Sequence, residues 1–200
     1  MREIRTIAVV GAGALGRKIA HAAALAGYRT ILEDILPASL RRAETAIRDS
    51  LEQAVEQGTV QPAEAESAIA RLEFATSLED AARAAEIVIE AVPDEFDSKE
   101  EIFRLLDRIC RPSTVLVAVS PSLCVADIAA ITERPQDIVG MRFASDPSPK
   151  APSRIDVVRT AKSSEEALQT ALAVARRMAP TAEVVPDSTS AFGQSATPEA

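Results

Sequence analysis

The chain has 200 residues, 47% of them apolar, with aromatics at only 3% and no tryptophan, which is enough to bury one core of closely packed, alanine-rich helices rather than to build an aromatic recognition surface. A net charge of −8 and a pI near 4.8 produce an average field that repels phosphate polymers, which argues against nucleic acid as a partner. No segment reaches the roughly 18 apolar residues of a membrane span, and the first apolar run is too short for a signal peptide. The expectation is a soluble, cytoplasmic protein, in keeping with two cysteines, Cys110 and Cys124, that offer neither metal spacing nor a redox pair.

Apolar runs and amphipathic stretches alternate along the chain. Ile7 to Val10 reads as a short buried strand, followed by a helix from Leu15 to Ala26 that stops at Gly27. The run "RTILED" is a second strand. Pro37 opens a long helix with the apolar stripe Leu40, Ala43, Ile47, Leu51 and Ala54, and Gly58 ends it. Pro62 opens a shorter helix, so residues 37–71 form a helical hairpin after the second strand. "LEFATS" and a brief alanine-rich helix lead to "EIVIEAV", a strand buried on both faces. Ser98 and Glu101 have capping-box spacing for a helix running to Cys110. "STVLVAV" is the next strand, followed by a helix from about Val125 to Ile131 and a strand from Ile138 to Phe143. "RIDVVRT" is another strand, and Ser163 with Glu166 forms a second capping box before a helix with the stripe Leu168, Leu172, Ala175 and Met178. "AEVV" is the last strand. Such alternation predicts an α/β fold with a doubly wound, mostly parallel sheet, a single domain over residues 1–186 and a polar tail over 187–200. The pairs Arg41-Arg42 and Arg176-Arg177 are expected on solvated helix faces.

"AVVGAGALG" places Gly11, Gly13 and Gly16 in a G-x-G-x-x-G pattern directly after the first strand. Alone the pattern is weak, since glycines also make ordinary turns. Here a strand precedes it, a helix starts within it, and the acid Asp34 ends the second strand. Gly11 would make the tight turn, Gly13 would let backbone approach a pyrophosphate, and Gly16 would let helix and strand pack closely. The helix N-terminus offers N–H groups and partial positive charge to phosphates. Asp34 would accept ribose hydroxyls and repel a 2′-phosphate, with Glu33 adding to that repulsion, so NAD is expected rather than NADP.

With these blocks, the chain resembles the N-terminal, NAD-binding domain of the 3-hydroxyacyl-CoA dehydrogenases. The resemblance runs from residue 4 to about 188 and rests on "VVGAGALG", "EQGTVQPAEAESAIARL", "VIEAVPDEFDSKEEIFRLLDRIC", "SPSL", "ITERPQDIVGMRF" and "VVPDS". It implies a cofactor site made of Gly11, Ala12, Gly13, Ala14, Leu15, Gly16, Asp34, Val92, Pro93, Asp94, Lys99 and Val119. Asp94 stands where the family has a glutamate. Lys99 matches the family's lysine, in the first turn of its helix and within reach of the mouth of the site, or simply solvated. Ser50 matches a serine that lies by the CoA moiety, whereas Gln57 replaces an expected lysine, which weakens the case for an acyl-CoA ligand.

The resemblance breaks at the catalytic positions. The family's "NTSSL" becomes Val119-Ser120-Pro121-Ser122-Leu123, so the asparagine is valine and the catalytic-site serine falls on Pro121. The histidine of "GMHFFNP" falls on Arg142, and its glutamate partner aligns with Asp156. "DSPGF" becomes "DSTSA", with Gln194 near an expected asparagine. Oxidation of a 3-hydroxyl needs a proton acceptor with a pKa near neutrality, and arginine's lies above about 12. An Arg142–Asp156 ion pair is therefore expected as a strut between adjacent strands, with an arginine that holds an anionic ligand as its rival. No substitute base is visible: His21 is expected to be solvated on the outer face of the first helix, and Tyr28 is followed four residues later by Leu32, not lysine. The expectation is an NAD(H)-binding protein of lost or altered catalysis. An active dehydrogenase completed by a partner or acting on another substrate is the alternative, and a CoA-binding module without a redox role is a weaker third. The chain ends where the family's helical second domain would begin, and so a homodimer, or a tail folded back on Phe192, is expected over that edge.

Overall fold

Thr6–Val10, five buried residues in succession, form β1. A strand apolar on both faces belongs inside a sheet covered on both sides. The computed structural model describes residues 3–144 and 152–187, and the tail with Phe192 and Gln194 lies outside them. The other strands are β2 (Arg29–Glu33), β3 (Leu72–Ala75), β4 (Ile87–Glu90), β5 (Val115–Val119), β6 (Ile138–Phe143), β7 (Arg154–Arg159) and β8 (Thr181–Pro186). They lie in the order β3-β2-β1-β4-β5-β6-β7-β8, parallel throughout except for the antiparallel pair β6 and β7.

Alternation within each strand divides the core between two faces. Ile7 and Val9 point to one side, with α1 (Ala14–Leu25), α2 (Pro37–Glu56), α3 (Pro62–Ile69) and α7 (Glu165–Met178). Ala8 and Val10 point to the other, with α4 (Leu78–Ala84), α5 (Phe96–Ile109) and α6 (Val125–Ala130). The chain leaves β1 in one direction to reach β2 and β3, and in the other from β4 onward. The carboxyl ends of β1 and β4 therefore flank the switch point at which α/β sheets open a crevice.

Four local expectations are corrected. Leu72–Ala75, to which the sequence assigns no element, is the edge strand β3; four residues, none of them fully buried, carry too little period to separate strand from loop. Helix α5 starts at Phe96 with Glu95 as its N-cap, so Ser98 lies inside the first turn and caps nothing. Helix α7 is capped by Ser164, whose hydroxyl accepts from the Ala167 N–H at 3.1 Å. The Ser163 hydroxyl is engaged elsewhere, by Thr160 and by the Ile138 carbonyl. His21 is buried, because α2 and α3 pack against α1 and cover the face expected to meet water. Its Nε2 has no hydrogen-bond partner, and burial pushes its pKa down to about 4.

Candidate functional site

At the switch point the chain leaves β1 through Gly11, whose φ of 99° is in the left-handed region that a side chain resists. The turn is held on two sides: the Gly11 N–H donates to the Glu33 carbonyl at 2.8 Å, and the Ala12 N–H donates to Asp34 Oδ2 at 2.9 Å. Helix α1 follows at once, and Gly16 packs on the turn so closely that a Cβ would stand 1.8 Å from the Gly11 carbonyl oxygen. At Gly13, by contrast, a Cβ would meet nothing within 4 Å. Gly13 is also the N-cap of α1, with no side-chain cap and no acid in the first turn. The helix N-terminus thus faces open space with its amides and partial positive charge unopposed, which suits an anionic pyrophosphate.

Asp34 lies beside this turn. Its second oxygen accepts the Leu36 N–H at 2.9 Å, and a carboxylate bonded once at each oxygen keeps lone pairs for two hydroxyls. The apolar side chains of Leu15, Ile35 and Leu36 flank these groups in sequence and are exposed, Ile35 to 79%. Glu33, expected to repel a 2′-phosphate, is buried instead. Burial and the neighbouring Asp34 push its carboxyl up to about 7, so near neutrality it is a half-charged group and a weaker repellent than a surface acid.

Across the switch point, Lys99 departs from both of its expected states. It is 0% exposed, neither solvated nor reaching for the mouth. Its ammonium donates to both oxygens of Glu90 at 2.9 and 2.8 Å and to the Val119 carbonyl at 2.8 Å. Glu90 ends β4 and Val119 ends β5, so one lysine from α5 ties the two strand ends together. Glu90 was not singled out from the sequence, although the signal was present: a carboxylate closing a doubly buried strand needs a buried cation. Asp94 lies 3.9 Å from the same ammonium, and its Oδ2 accepts the N–H and hydroxyl of Ser122 at 3.1 and 2.6 Å. Val92 donates its N–H to Glu90 at 2.8 Å, and Pro93 is exposed beside it.

The Arg142–Asp156 strut does not form. The two residues are register partners on β6 and β7, as expected, but no hydrogen bond or ion pair joins their side chains. Asp156 bonds Arg154, two residues along its own strand, at 2.6 Å. Arg142 faces Asp187 at 3.7 Å, and Asp187 is itself fixed by the Ala126 N–H at 2.8 Å and approached by the Cys124 thiol at 3.3 Å. A cation on Asp156's own strand and a pre-positioned acid after β8 win over the cross-strand pair. Among the described residues, no group of three or more histidine, cysteine, aspartate or glutamate side chains could hold a metal.

A mostly parallel sheet whose strand order reverses at β1, a glycine turn against an uncapped helix and an acid after β2 define a dinucleotide-binding domain. The model of the 3-hydroxyacyl-CoA dehydrogenase NAD-binding domain matches residues 6–188. The chain is 37% identical over 185 residues to a probable 3-hydroxybutyryl-CoA dehydrogenase of Bacillus subtilis, covering 92% of this chain and 63% of that protein. It is 36% identical over 165 residues to the 3-hydroxybutyryl-CoA dehydrogenase of Mycobacterium tuberculosis, covering 82% and 57%. Its fold superposes on the (S)-3-hydroxybutyryl-CoA dehydrogenase of Ralstonia eutropha with a TM-score of 0.87 and 28% identity, over 93% of this chain and 65% of that one. The chain belongs to the 3-hydroxyacyl-CoA dehydrogenase family and carries its NAD-binding domain, and it spans less than two thirds of the length of these relatives. NAD is the cofactor of that domain.

Proposed function

We propose that this protein binds NAD(H) through the glycine turn, Asp34 and the ends of β4 and β5, and that it has lost or altered the family's reaction. One observation carries the second half: Arg142 stands where the resemblance implies a histidine base, and it is set against Asp187. A guanidinium remains charged at any physiological pH and takes no proton from a hydroxyl. Losing a general base typically costs a factor of about 10²–10⁴ in rate. Pro121 stands where the resemblance implies a serine, and Val119 where it implies an asparagine, so two further polar groups of the family's pattern are absent. The second reading is an active dehydrogenase completed by a partner or acting on a different substrate, and the names of the relatives favour it. An acyl-CoA or other small anion facing Arg142 would be its substrate.

Titration calorimetry and a turnover assay separate the two. The expected result is NAD(H) binding at least tenfold tighter than NADP(H), with no measurable oxidation of NADH by acetoacetyl-CoA. Turnover by the purified protein at about 1–10³ per second, the usual range of enzymes, overturns the altered-function reading. Absence of binding by either dinucleotide overturns the site itself.

A further inference from the structure

A lysine ammonium has three protons to donate, and Lys99 has placed all of them: two on Glu90 and one on Val119. Any direct bond from Lys99 to a cofactor requires giving up one of these three at an ammonium that is 0% exposed. Releasing Glu90 leaves buried charge poorly compensated, and releasing Val119 leaves its carbonyl without this donor, and both are unfavourable. Lys99 is therefore a positioning residue that holds the ends of β4 and β5 at a fixed spacing. Glu90 receives a third N–H from Val92. Both Glu90 oxygens accept from an ammonium and one accepts a backbone N–H as well, which is the bonding of an ionised carboxylate. Burial pushes the carboxyl up, and the ammonium and that N–H oppose the shift. The two charges cancel.

Asp94 is then left over. Its Oδ1 is buried without a hydrogen-bond partner, 3.9 Å from an ammonium whose protons are already committed. Its Oδ2 is held by two neutral donors of Ser122. The three charged side chains sum to one negative charge just beyond the ends of β4 and β5. Asp34 and the glycine turn occupy the β1–β2 half of the crevice, so the nicotinamide half of a dinucleotide belongs over β4 and β5. Oxidised nicotinamide carries a positive charge, and the reduced ring carries none.

We infer that Asp94, uncompensated because Glu90 and Lys99 neutralise each other, biases this site towards NAD⁺ over NADH. The inference rests on the NAD(H)-binding reading above and adds a selection for the oxidised form. A unit charge a few ångströms beyond contact, in a partly exposed site of intermediate dielectric, changes relative affinity by about a factor of ten.

The test uses the full chain. NADH affinity is read from fluorescence enhancement of the reduced ring, NAD⁺ affinity by competition, and folding by circular dichroism. Asp94→Asn is expected to weaken NAD⁺ about tenfold relative to NADH, and Asp94→Ser, a second neutral variant, to shift the ratio in the same direction. Asp94→Glu, which keeps the charge, should hold the ratio within about twofold. Ser122→Ala removes the hydroxyl hydrogen bond and keeps both the backbone one and the charge, and it too should leave the ratio in place. If the neutral variants lose both forms equally or leave the ratio unchanged, Asp94 acts through hydrogen bonds alone and the inference falls, while NAD(H) binding stands. If the unaltered protein binds neither form, the binding reading falls and the inference goes with it.

Discussion

Replacing Gly16 by alanine probes the contact on which the glycine turn depends. The added Cβ would stand 1.8 Å from the Gly11 carbonyl oxygen and 3.0 Å from its carbon, so α1 must retreat by more than an ångström or the turn must move. Overpacking of this kind costs about 1–3 kcal/mol, and a backbone obstacle puts the cost near the upper end. Alanine recovers up to about 1 kcal/mol of helix propensity, which leaves a net loss of about 2 kcal/mol. For a chain of this length that lowers the melting temperature by about 4–8 °C. The displaced turn should also weaken NADH binding by at least about tenfold, as expected when a positioning contact fails. Gly13→Ala is the matched comparison. Its Cβ meets nothing within 4 Å, and its φ of −68° suits any residue, so the melt should stay within about 2 °C while NADH binding falls comparably. Thermal unfolding by circular dichroism and NADH fluorescence titration read both variants. A Gly16→Ala protein that melts with the parent would refute the close approach. A Gly13→Ala protein that binds NADH as tightly as the parent would mean that the open space there is not where phosphates lie.

Breaking the buried pair with Glu90→Gln or Lys99→Met should cost about 3–5 kcal/mol by urea unfolding, and the double replacement Glu90→Leu/Lys99→Met less than the two singles together. His21 should give stability a pH slope. Its folded value of about 4 lies below its ordinary 6.5, so the unfolded chain takes up the proton first. That contribution is complete above pH 6.5 and is lost as the pH falls towards 4, by up to about 1.4 kcal/mol per unit, and a His21→Leu variant should show a flatter profile over that window. Glu33 acts with the opposite sign. Its folded value of about 7 lies above the ordinary 4.5, so its contribution is present below pH 4.5 and declines as the pH rises through 7. Glu33→Gln should therefore gain stability relative to the parent at pH 8 by more than about 1 kcal/mol, and an equal melt there would count against a raised carboxyl. Asp34→Ser should narrow the preference for NAD over NADP by about tenfold in calorimetry, the scale of one charge repulsion near a partly exposed site.

Local patterns were enough for the layout of this protein apart from the edge strand β3. The stripe Leu40, Ala43, Ile47, Leu51 and Ala54 is buried throughout, β6 spans the predicted Ile138–Phe143, and the G-x-G-x-x-G turn lies between β1 and α1 with Asp34 bonded to it. Each of these follows from a period or a spacing of a few residues, which the chain carries wherever it folds. Side-chain partners across long sequence separations were decided only in three dimensions. His21 is covered because a hairpin of two later helices closes over it, and Asp156 bonds Arg154 rather than the register partner that pairing alone suggested. Arg142 faces Asp187, which arrives after β8, and Lys99 finds Glu90 and Val119 at the ends of two different strands. A charged residue looks the same in sequence whether it is solvated or paired in the interior, because its state is set by which groups the packing of other elements brings within 3 Å or so and by how much water that packing excludes.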